Sequence, residues 1–162
     1  MKAFTLLLFC LLLLASCNSK IASEDDPELD PPAAASGLAN IVSVSFSGQE
    51  NSYQFSVGIS SPDVDCDQYA NWWEIVSPDS SLIYRRILAH SHPSEQPFVR
   101  SGGPVEIGPN DTVIIRAHMH PAGYGGVVYE GSVSAGFEAT QKPADFAAEL
   151  SETAPLPTVC TG

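Results

Sequence analysis

All four histidines of the chain fall in two copies of one pattern, His90-Ser91-His92-Pro93 and His118-Met119-His120-Pro121. On a β-strand, residues i and i+2 point to the same side. Each pair therefore presents two imidazoles together, with Cα atoms roughly 6.7 Å apart. Neutral imidazole suits zinc, copper and nickel, at metal–nitrogen distances of about 2.0–2.1 Å. If His90, His92, His118 and His120 converge, they close a site for copper or zinc; three of them plus water leave an open position. Convergence depends on residues 98–107. As one interrupted strand they make the two histidine strands run the same way, so that the pairs can meet. As two strands they put the pairs at opposite ends. The alternative reading is ordinary strand-end histidines that bond turn carbonyls. Met119 faces away from its neighbours, toward the core.

A second cation candidate runs Asp63-Val64-Asp65-Cys66-Asp67-Gln68-Tyr69-Ala70-Asn71-Trp72-Trp73-Glu74. Asp63, Asp65, Asp67, Asn71 and Glu74 stand at positions 1, 3, 5, 9 and 12. That spacing resembles the calcium loop of an EF-hand. Gln68 occupies position 6, where the sharp turn takes glycine. The alternative is an acidic loop entering a strand, with its carboxylates solvated or bonded to their own backbone.

Nucleophilic catalysis has little support. Ser132-Val133-Ser134-Ala135-Gly136 lacks the first glycine of a nucleophile elbow. The chain carries no zincin, phosphate-loop or dinucleotide motif. No enzyme is expected.

The four cysteines divide by position. Cys10 lies within an apolar segment that follows Lys2 and has the length of a secretory signal, too short to span a bilayer. The segment closes on Leu14-Ala15-Ser16-Cys17. Those residues resemble the lipobox of bacterial lipoproteins. The resemblance implies cleavage before Cys17, acylation of that cysteine (palmitate among its chains), and a lipid anchor in the membrane. Multiple acyl chains hold firmly, at ~0.8 kcal/mol per buried methylene. Cys66 and Cys160 remain. In an oxidising compartment an even pair predicts a disulfide. In the chain-entropy view a loop of this length is worth up to ~4.7 kcal/mol.

Residues 1–16 thus read as a signal peptide. Residues 17–36 read as the acylated cysteine and an acidic, proline-rich tether, and 37–162 as one domain. Loss of the signal leaves 146 residues with a net charge of −13. Nucleic acid needs a basic face and is excluded as a partner. The acidic residues soon after Cys17 loosely resemble surface-export signals of lipoproteins in some Gram-negative groups. The expected location is the bacterial cell envelope, at the outer membrane if Gram-negative.

The elements that must position these residues are strands. Tyr53, Phe55, Val57 and Ile59 alternate with polar or small residues, the period of a half-buried strand. Further strands are predicted at 41–46, 72–77, 82–90, 98–100, 105–107, 112–120 and 127–137, separated by proline and glycine turns. Seven to eight short strands predict an all-β, antiparallel, immunoglobulin-like sandwich. Residues 143–150 are the one helix candidate, with Pro143 in the first turn. Trp72 and Trp73 must point to opposite faces: one anchors the core, and the other is either an exposed contact or covered by the tether or the C-terminal tail. Tyr124, in a glycine-rich turn, is a further contact candidate. The leading reading is a membrane-tethered, non-enzymatic binding module that takes a transition metal through its two histidine pairs. The other reading is a structural or adhesive domain that binds a protein or glycan through exposed aromatics and loops.

Overall fold

A computed structural model describes residues 31–161. The signal segment and Cys17 lie outside these residues. The strands are β1 (Asn40–Gln49), β2 (Ser52–Ser60), β3 (Tyr69–Val76), β4 (Leu82–Ile87), β5 (Phe98–Val105), β6 (Val113–His120), β7 (Val127–Ser132) and β8 (Gly136–Gln141). They form two sheets, β1-β2-β5 and β4-β3-β6-β7-β8. Every pairing is antiparallel. The chain crosses between sheets after β2, β4 and β5, as in a Greek-key sandwich. The core between the sheets includes Phe55, Val57, Ile59, Trp73, Ile75, Phe98, Ile115 and Met119.

The structure departs most from the sequence expectation at three places. Residues 98–105 are one strand, so β4 and β6, both antiparallel to β3, run the same way. Gly102-Gly103-Pro104 is tolerated because β5 is an edge strand and the register slips there, between Tyr53 and Phe55 of β2. Gly102 also has a contact reason: a Cβ there would lie 2.6 Å from the Tyr84 hydroxyl and 2.9 Å from the Trp73 ring. Residues 127–137 are not one strand but a tight hairpin, with Ser132 paired to Gly136 at φ +90°. Finally, β4 stops at Ile87, so His90 and His92 lie in the loop beyond it.

β3 is buried along its whole length, and so is β6 apart from His120. A half-buried strand would alternate; these two carry a second layer on their outer face. That layer is the C-terminal segment, residues 143–161. Ala147 and Leu150, flanked by Phe146, pack on Val76, Ile114 and Val128. The segment contains a 3-10 turn, Ala148–Glu152, rather than the predicted α-helix. Ala147 is left-handed (φ 48°), and the carbonyls of Phe146, Ala147 and Leu150 accept bonds from arginines of the sheet.

The N-terminal entry is fixed by Asn40. Its side chain bonds the backbone of Ala35 and Leu38 and accepts the amide of Val127. Gly126 runs so close to Ala39 that a Cβ would lie 2.0 Å from the Ala39 carbonyl oxygen.

Candidate binding cleft

Three charged residues on the outer face of the larger sheet hold the C-terminal segment. Glu74 on β3 is fully buried. It accepts Arg85 Nε from β4 at 2.7 Å and Arg116 Nε from β6 at 2.8 Å. The remaining guanidinium N–H groups reach main-chain carbonyls. Arg85 donates to Leu150, Thr153 and Pro155, and Arg116 to Phe146 and Ala147. A buried charge is tolerated when paired and hydrogen-bonded, and this cluster meets both conditions. The guanidinium of Arg85 also lies 4.4 Å from the Trp72 ring centroid, and that of Arg116 3.6 Å from Tyr124. The sequence signal for this latch is a charged residue inside an apolar strand run, in Trp72-Trp73-Glu74-Ile75-Val76 and Val113-Ile114-Ile115-Arg116-Ala117.

Beside the latch the segment stands off the sheet and leaves a cleft of about 720 Å³, within the range of ligand sites. Its floor comes from the ends of β3 and β6, with Tyr69, Asn71, Trp72, His118 and His120. The 121–124 turn closes one side and residues 156–160 the other. The expected Cys66–Cys160 disulfide is present, with Cα atoms 5.7 Å apart, and it ties that far wall to the 62–68 loop. It is a strap over the outer layer rather than a bridge between the sheets.

His118 stacks on Trp72 with ring centroids 3.9 Å apart. Its Nδ1 lies 2.7 Å from Asn71 Oδ1. That oxygen only accepts, so Nδ1 carries the proton and Nε2 the lone pair. Burial pushes the His118 pKa down to about 4, helped by the charges of Arg85, His120 and Arg116. The ring is a neutral acceptor at physiological pH. The Trp72 Nε1–H and the Tyr124 hydroxyl are buried without a hydrogen-bond partner. Burial raises the Tyr124 pKa well above its usual value, and the nearby Glu74 carboxylate adds to this. Both tryptophans are buried, Trp73 in the core and Trp72 beneath the C-terminal side. Exposed aliphatics stand at the mouth instead, Leu156 at 40% and Val159 at 65% exposure, with Val64 at 60% on the adjoining loop.

The two histidine pairs share one end of the sandwich but not one site. β6 alternation puts His118 on the outer face, paired with Trp72. His92 turns inward from its loop and stacks on Phe98 of the opposite sheet at 4.0 Å. His120 packs edge-on against Tyr69. Among the described residues, no three His, Cys, Asp or Glu side chains gather closely enough to hold a metal ion. The four-histidine site is therefore not assembled, because a sheet lies between the pairs.

The calcium candidates are also dispersed. Asp63 is buried and accepts Ser61 Oγ, the Ala70 amide and the His92 amide. Asp65 accepts the Asp67 amide in a local turn. Asn71 serves His118, and Glu74 serves the arginines. Continuation of β3 through Asn71 to Glu74 extends what an ion-binding loop would have to curl.

A protein of Halomicrobium mukohataei named "Putative lipoprotein" is 33% identical to this chain over 114 residues. The match covers 67% of this chain and 56% of that protein, so the chain spans little more than half of its relative's length. No family model and no solved structure matches the chain. The relative's name agrees with the lipobox-like residues at 14–17.

Proposed function

We propose that this chain is a membrane-tethered, non-enzymatic binding module of the cell envelope. Its anchor is acylated Cys17, and its binding site is the cleft beneath the disulfide-tied C-terminal segment. The cleft carries the reading: it combines ligand-sized volume, a neutral imidazole acceptor held in one tautomer, and an aliphatic mouth. Sugar recognition would draw on exposed aromatic faces, but Trp72 is covered by His118 and Arg85. Aliphatic side chains at the mouth suit a protein partner, whose apolar groups they would bury. Site-specific photo-crosslinking in intact cells tests this. A photoreactive residue at Val159 should give a discrete protein adduct, and one at Ser45, on the other sheet, should not. Equal yields from the two positions, or none from Val159, would refute the reading.

A further inference from the structure

His92 is the most unusual polar residue outside the cleft. It is 4% exposed, yet neither ring nitrogen has a hydrogen-bond partner. An unsatisfied buried polar group costs about 1–3 kcal/mol, so such groups call for a physical reason. One side of the ring is explained. Nδ1 lies 3.7 Å from Asp63 Oδ2, an oxygen already fixed by the His92 backbone amide at 2.9 Å. That is beyond hydrogen-bond length but within a small adjustment of it. The other nitrogen, Nε2, has nothing. The exposed ring of His90 packs against the His92 ring, with centroids 4.5 Å apart and planes tilted by 40°.

We propose that His90 and His92 form a two-imidazole site for a divalent transition metal, with Asp63 as the residue that orients His92. Copper(II) is the expected ion, because affinity for nitrogen donors peaks at copper in the divalent series. A carboxylate behind one nitrogen of a ligating histidine is the usual outer-shell arrangement. Burial, then the charges of Arg100 and His90, lower the His92 pKa, and Asp63 and Glu95 oppose the shift. Arg100 is itself paired with Glu95 at 2.7 Å. With two protein nitrogens, water completes the coordination. This site is separate from the cleft and stands or falls independently of it.

The test is copper(II) titration of the untagged full-length protein in detergent, with calorimetry and electron paramagnetic resonance as readouts. One saturable copper per chain is expected, with hyperfine structure from two nitrogens. His90→Ala, at an exposed position that leaves the fold intact, should weaken binding at least tenfold and leave one nitrogen donor. The double substitution His118→Ala plus His120→Ala should change neither affinity nor spectrum. Absence of saturable binding overturns the proposal, as does binding that survives His90→Ala unchanged or is lost in the His118/His120 variant.

Discussion

The Nδ1 of His118 and the Oδ1 of Asn71 stand 2.7 Å apart, and this contact decides which nitrogen of a cleft-lining imidazole keeps its lone pair. Asn71 was legible in the sequence only as an oxygen ligand for calcium. In the fold it is the residue that orients a histidine.

The first prediction concerns acid stability. The folded pKa of His118 is about 4, below its ordinary 6.5. Between these values the unfolded chain binds a proton that the native ring refuses, so stability falls as pH drops from 6.5 toward 4. The full effect is about 3 kcal/mol. His92 is shifted in the same direction and adds to it. Denaturant unfolding at pH 7 and pH 4.5 measures the loss, which His118→Gln should reduce. Asn71→Asp should raise the His118 pKa, read by its ring resonances in an NMR titration.

Glu74→Gln should cost about 3–5 kcal/mol, because it leaves two buried guanidiniums without a counter-charge. The C-terminal segment should lose hydrogen-exchange protection at the amides that depend on its docking. A loss below ~1 kcal/mol in chemical denaturation would show that the arginine–carbonyl bonds hold the segment unaided.

Cys66→Ala should lower stability by about 2–4 kcal/mol. Its local effect should be confined to the far wall of the cleft, since residues 146–155 stay tied by the arginines. Faster proteolysis within 156–161, with unchanged cleavage elsewhere, is the expected pattern. Non-reducing peptide mapping of the parent protein should recover the Cys66–Cys160 pair.

Cys17→Ser should abolish incorporation of labelled fatty acid and release the protein from membranes. Retention of label or of membrane partition in that variant would exclude Cys17 as the anchor.

Strand positions were readable because most follow period two or a simple apolar run. Tyr53 to Ile59 marks β2 without ambiguity. The exceptions have local causes. β5 hides behind Gly102-Gly103-Pro104, which signals a turn, yet an edge strand accepts residues that pair on one side only. The second layer left a trace in the two doubly buried strands, but nothing in composition says that residues 146–155 cover them. The histidine spacing suggested a strand for each pair, which holds for His118 and His120 on β6 and not for His90 and His92, in the loop after β4. It could not say that the larger sheet separates the pairs, because that depends on which way a loop turns. Glu74 reads as a ligand by spacing and proves to be a counter-ion, since its partners Arg85 and Arg116 are 11 and 42 residues away.

The latch has an evolutionary corollary. All five guanidinium bonds to the C-terminal segment end on main-chain oxygens, of residues 146, 147, 150, 153 and 155. Every amino acid supplies the same oxygen, so the arginine grip itself is blind to sequence, while the apolar seat of Ala147 and Leu150 is not. Side chains at 156–159, held between that grip and the disulfide, are free to drift. Homologues could exchange Leu156 or Val159 for charged or aromatic residues and so change what the cleft accepts, while the segment keeps its footing on the sheet.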